Sequence, residues 1–144
     1  MKVILAGYGR MGHEIALSLQ RRGHELLASV DPKAPDATHR RLADAPVEKA
    51  DAVIEFSLAS AVLDNARLYA EAGTSAVLGT TGWEEQRNEV EKMVRSGGIG
   101  YLVGANFSIG ANLFMILAEE AARLVNAVEE YDPFLCEYHH RGKA

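Results

Sequence analysis

With 144 residues, 48% of them hydrophobic and 24% charged, the chain has the size of one ordinary domain and enough apolar side chains for a core, which excludes a disordered segment. Fifteen Lys and Arg against 20 Asp and Glu leave a formal charge of −5, so the chain as a whole attracts neither nucleic acid nor an anionic membrane, and any anion site has to be local. One cysteine, Cys136, permits no intramolecular disulfide and no cysteine-built zinc site, and no metal is expected. No apolar run approaches the ~20 residues of a membrane span, and too little precedes Gly7 for a signal-peptide core, so a cytoplasmic protein is expected.

Short apolar runs alternate with helical patterns. Residues 2–6 read as a buried strand ended by Gly7. Residues 10–22 read as a helix, with Met11, Ile15 and Leu19 on one face and Gly23 as its stop. A second strand spans 25–30, and residues 31–46, with three prolines and little periodicity, read as a loop with at most a helical turn. Strands at 52–56, 75–78 and 99–103 alternate with helices at 59–72 and 84–96, each helix stopped by glycine. Residues 112–128 form the strongest helix, with Leu113, Ile116, Leu117, Leu124 and Val125 on a stripe, and residues 134–139 are strand-like. This alternation predicts an α/β fold: a Rossmann-like parallel sheet with helices on both faces over residues 1–110. Residues 111–144 then read as a linking helix and the first strand of a further, incomplete α+β unit.

Gly7-Tyr8-Gly9-Arg10-Met11-Gly12 fits G-x-G-x-x-G, with a strand before it and a helix opening near Arg10. Gly7 would permit the tight turn, Gly9 would let the backbone approach a pyrophosphate, and Gly12 would let the helix lie close to the sheet. The free N–H groups of the helix start would face the phosphates. Asp31, at the end of the second strand, suits a ribose diol; it would repel a 2′-phosphate, which Arg10 and Lys33 could offset, so NADH, NADPH or both are open. Phe56 and Ser57 follow the third strand, and Gly79, Thr80 and Thr81 follow the fourth, at the strand ends where parallel sheets bind ligands.

Five stretches in this order resemble a known family: 7–12, Val53-Ile54-Glu55-Phe56-Ser57, Gly79-Thr80-Thr81-Gly82-Trp83, Ala105-Asn106-Phe107-Ser108-Ile109-Gly110 and Glu137-Tyr138-His139-His140-Arg141-Gly142-Lys143. The series is similar to the 4-hydroxy-tetrahydrodipicolinate reductases (dihydrodipicolinate reductases) of lysine and diaminopimelate synthesis. The resemblance implies NAD(P)H-dependent reduction of a small dicarboxylate, with His139 and Lys143 as the catalytic pair: His139 is the proton donor, Lys143 binds substrate and stabilises developing charge, and His140 is a further substrate contact. It adds Ala105, Asn106 and Phe107 to the cofactor residues and implies a homotetrameric parent enzyme. Family members continue past the basic motif with Asp-Ala-Pro-Ser-Gly-Thr, so a truncated chain that binds cofactor without turning over is expected.

The basic cluster also has a reading of its own: His139, His140, Arg141 and Lys143 concentrate cations suited to a small polyanion, and histidine can donate a proton near neutral pH. A related amino-acid dehydrogenase and a non-catalytic dinucleotide-binding module are the alternatives. His13, His24 and His39 read as surface residues outside any cluster, Trp83 and Tyr101 as packing, and Cys136 as a small core residue on a strand.

Overall fold

Five parallel strands form one sheet in the order β2-β1-β3-β4-β5: β1 Lys2–Ala6, β2 Glu25–Val30, β3 Ala52–Glu55, β4 Ala76–Leu78 and β5 Tyr101–Val103. The computed structural model describes residues 1–136 and Tyr138; Glu137 and residues 139–144 lie outside the described residues. The chain divides into two compact units, the first from Met1 to Ala105 and the second from Asn106 onward.

In the first unit the alternation along β1 assigns its two faces. Val3 and Leu5 pack with Leu19 of helix α1 (Arg10–Arg21), whereas Ile4 and Ala6 pack in a cluster with Tyr69 of helix α2 (Val62–Ala72). Both faces are therefore covered, which is why β1 reads as a continuous apolar run. Helix α3 (Arg87–Gly97) lies against α2, where a side chain at Gly97 would collide with Ala70. Trp83 and Tyr101 pack as expected, Trp83 being buried with Val62, Ala66 and Leu78.

Strand order decides where a ligand can enter. The connection from β2 to β3 jumps across β1, and α1 leaves toward one face while α2 belongs to the other. The ends of β1 and β3 thus flank a topological switch point, where the diverging crossovers leave a crevice. The β2–β3 connection has two short 3₁₀ turns, Leu42–Asp44 and Val47–Lys49, in place of a helix. Before them, His39 forms a parallel bridge with Val30 on the open side of β2. The surface reading of His39 is corrected to that extent: its backbone N–H donates to Ser29 O and its carbonyl accepts from Asp31 N–H.

Most element ends fall within three residues of the sequence reading. Residues 59–61 and 84–86 are 3₁₀ turns that lead into α2 and α3. In the second unit, helix α4 (Ile109–Val125) starts earlier than its apolar stripe implies, because the Ser108 hydroxyl caps it by accepting the Ala111 N–H. Leu113, Ile116, Leu117 and Leu124 on that stripe are all exposed. The strand expected over residues 134–139 is corrected for its described part: residues 134–136 and Tyr138 are not in a strand, and no described strand pairing involves them. An extended segment without a ladder partner buries nothing, and Cys136, read as a core residue, is exposed.

Candidate functional site

The turn after β1 is built by glycine geometry. Gly7 has φ +96°, and a Cβ there would overlap the Phe56 carbonyl; its N–H donates to Val30 O at 2.8 Å. A Cβ at Gly12 would stand 2.5 Å from the Gly7 carbonyl oxygen, so the start of α1 can lie on the turn only without a side chain. Gly9 is different. It caps α1 in an extended conformation open to any residue, and a Cβ there would meet nothing within 4 Å. Neither backbone strain nor internal packing calls for glycine at position 9.

Gly7 and Gly9 line a cavity of about 540 Å³ at the C-terminal ends of β1 and β3, together with Asp31, Phe56, Ser57 and Asn65. That size and placement suit a small-molecule site. Lys33, Arg40 and Arg41 line it as well. Two of these cations went unnoticed in the sequence, where the Arg40-Arg41 pair was the available signal.

Asp31 has a larger task than its sequence position suggests. Its Oδ2 accepts the Tyr8 N–H at 3.0 Å, and its Oδ1 accepts the N–H groups of Lys33 at 2.8 Å and Ala34 at 3.0 Å. It therefore ties the glycine turn to the loop after β2. Partial burial works to raise the Asp31 carboxyl, but the three N–H donors and the Arg40 charge outweigh it and hold the group below its ordinary value. Arg40 in turn donates to the carbonyls of Asp31 and Ala34.

On the other side of the crevice stands a carboxylate that sequence reasoning missed. Glu55, the last residue of β3, is 0% exposed. Its Oε1 accepts from Ser57 Oγ at 2.5 Å and from Asn65 Nδ2 at 2.7 Å, and its Oε2 accepts from the Tyr69 hydroxyl at 2.9 Å. Burial pushes Glu55 above the ordinary glutamate value, and the three donors oppose that rise. Burial likewise pushes the Tyr69 and Tyr101 hydroxyls up, with the Glu55 charge adding to both. The available signal was an ionisable residue inside the apolar run 53–56 of a strand covered on both faces.

Ser57 and Phe56 are also joined to the loop after β4. The Ser57 N–H donates to the Thr80 hydroxyl at 2.8 Å, Gly79 N–H donates to Glu55 O at 2.8 Å, and a Cβ at Gly79 would overlap the Phe56 ring. Thr80 is buried with its hydroxyl engaged by Ser57, and Thr81 is exposed. Thr80 supports the loop; neither threonine lines the cavity, nor do Tyr8, Arg10, Met11 and Gly12. Ala105 ends the first unit; Asn106 and Phe107 open the second, where Asn106 Oδ1 accepts the Ser108 N–H. His139, His140 and Lys143 lie outside the described residues.

His13 is corrected from an isolated surface residue to a member of the turn. Its Nδ1 lies 2.8 Å from Gly9 O, its Nε2 lies 2.8 Å from Asp36 Oδ2, and its ring packs on Tyr8 with centroids 4.3 Å apart.

A parallel sheet with crossovers on both faces and a glycine turn at its switch point defines a Rossmann-like protein. Comparison with known proteins narrows the class. The chain belongs to the dihydrodipicolinate reductase family, whose "Dihydrodipicolinate reductase, N-terminus" region matches residues 1–107. It is 35% identical, over 99% of its length, to the 4-hydroxy-tetrahydrodipicolinate reductases of Methanospirillum hungatei and Enterococcus faecalis. It spans 59% of the length of each. Its fold is similar to that of a dipicolinate-bound dihydrodipicolinate reductase from Paenisporosarcina sp. TG-14, with TM-score 0.70 and 26% identity over 85% of this chain and 53% of that one. A probable dehydrogenase from Thermotoga maritima shares the fold alone, at TM-score 0.67 and 16% identity over 85% of this chain and 41% of that one.

Proposed function

We propose that the chain provides the NAD(P)H-binding part of a 4-hydroxy-tetrahydrodipicolinate reductase, with the cavity at the ends of β1 and β3 as the nucleotide site. The observation that carries the reading is Gly9. It lines the cavity, its conformation suits any residue, and a side chain there would have free space. A bare backbone at that point has its use in the close approach of a ligand. The Gly9 N-cap gives α1 no side-chain cap, and the start of a helix, with its N–H groups and positive dipole end, suits an anion. Asp31 keeps its charge and lines the same cavity, so its oxygens can accept from a ribose diol. Lys33, Arg40 and Arg41 would offset Asp31 beside a 2′-phosphate, which supports use of either nucleotide.

The bound nicotinamide would supply the hydride; the chain's own residues bind and orient it. On the substrate side, family membership supports His139 as proton donor and His140 and Lys143 as contacts for a dicarboxylate, in a cytoplasmic homotetramer. Replacing Gly9 by valine should fill the approach to the pyrophosphate. Titration of G9V with NADH and NADPH by fluorescence should show a loss of affinity for both, and unchanged affinities would remove the site. In the full-length enzyme, H139Q should lower turnover of enzymatically generated substrate by about 10²-fold or more while nucleotide affinity holds. Full turnover would take His139 out of the mechanism.

A further inference from the structure

The glycine turn is held to the loop after β2 at two points. One is Asp31, which accepts the Tyr8 N–H. The other is the His13 ring, lying between the Gly9 carbonyl and the Asp36 carboxylate at 2.8 Å from each. Both partners are acceptors. A neutral imidazole has one N–H and one lone pair, so it can satisfy one of them and must turn a lone pair toward the other. Only the imidazolium, with two N–H donors, completes both bonds.

We propose that His13 is a positioning residue of the nucleotide site that works as an imidazolium, clamping Gly9 to Asp36 and making nucleotide affinity depend on pH. This rests on the reading of the cavity as a dinucleotide site. His13 lies outside the cavity lining, so it acts through Gly9, which lines the cavity and caps α1. The groups around the ring agree. Asp36 faces it from the loop after β2, Asp31 at the start of that loop acts on Asp36, and Glu14 adds negative charge from α1. Tyr8 packs on it from the turn, and His24 shares the groove at the edge of β2. The Asp36 hydrogen bond, then the Gly9 carbonyl, hold His13 above its ordinary value.

The sign follows from which state has both bonds. Below the raised value the clamp is closed. As pH rises through it, the ring keeps one N–H, one bond is lost, and Gly9 is free to shift from the position that meets the pyrophosphate. Affinity therefore falls with rising pH. By linkage, a bound pyrophosphate favours the charged ring, so binding takes up protons.

NADH is the probe, because it lacks a 2′-phosphate that would titrate in the same range. Calorimetry from pH 6 to pH 8.5 should show NADH affinity of the wild type falling about five-fold or more, the low end of ordinary site coupling. H13Q and D36N, both at exposed positions, should give flat profiles. A profile in H13Q parallel to that of the wild type, or a flat wild-type profile, overturns the proposal. Histidine NMR of the nucleotide-free protein reads the clamp directly. The His13 midpoint should lie above 6.5 and drop in D36N, and an unmoved midpoint overturns the pairing. Wild type that binds no NADH at any pH, with the NMR midpoints as expected, removes the nucleotide reading and leaves the clamp as a feature of the turn.

Discussion

Two polar clusters flank the same crevice and do similar work by opposite physics. Glu55 joins Ser57 of the loop after β3 to Asn65 and Tyr69 of α2, fully out of water. The His13–Asp36 pair joins the glycine turn to the loop after β2, with both side chains about half exposed. In the buried cluster the Tyr69 hydroxyl, if it lost Glu55, would be left without an acceptor in a low-dielectric interior, so removing the carboxylate is costly even though Ser57 and Asn65 are only half-buried. In the exposed pair water replaces whatever is lost, and the contact contributes geometry with little stability. On the proposed reading, the buried cluster serves fold stability and the exposed pair tunes the nucleotide site through Gly9.

The largest effect belongs to the buried side. E55A strands the buried Tyr69 hydroxyl, removes the acceptor that Ser57 and Asn65 share and opens a hole at the end of β3, and should lower unfolding free energy by about 3 kcal/mol or more. Urea denaturation measures it, and a loss near zero would mean that water reaches the network. E55Q keeps the shape and the Oε1 acceptor and should cost much less.

A subtler separation appears with pH. Because burial raises Glu55 in the folded state, the unfolded chain releases this proton first as pH rises from the ordinary value of 4.5. The wild type therefore loses stability relative to E55Q across the window between that value and the raised one, and the gap then levels off. Denaturation midpoints at pH 4.5, 6 and 7.5 test this; parallel curves for the two proteins would show that Glu55 is not strained by its charge. The smallest effect is expected for H13A, whose denaturation midpoint should stay close to that of the wild type even as its nucleotide affinity loses its pH dependence. A large drop in midpoint would make His13 a structural residue and erase the contrast.

The second unit sharpens a related difference. Helices α1, α2 and α3 each bury part of an apolar face within the first unit, while α4, the most apolar of the four, leaves Ile109, Met115, Ile116 and Leu117 more than 60% exposed. Periodicity predicts that a helix has an apolar side; it carries no information about what covers it.

How much of this was legible follows from the range of each interaction. The strand–turn–helix at the start, the uses of Gly7 and Gly12, and the alternation of strands and helices are encoded within a few residues. Backbone sterics and hydrophobic period therefore reveal them directly in the sequence. Gly9 and His13 are one helical turn apart, so half of the His13 clamp was also within local reach. Its other half, Asp36, lies 23 residues on. The partners of Glu55 are 10 and 14 residues away on α2, and those of Thr80 are 23 residues back, at spacings with no local period. By itself the sequence determined the elements, the glycine turn and the candidate ligands of a dinucleotide. Tertiary structure decided that Asp31 ties two loops, that Thr80 turns inward, that Arg40 and Arg41 reach the cavity, and that a carboxylate is buried beneath it. Those outcomes depend on which strands become neighbours, and that order is set by packing both faces of the sheet at once.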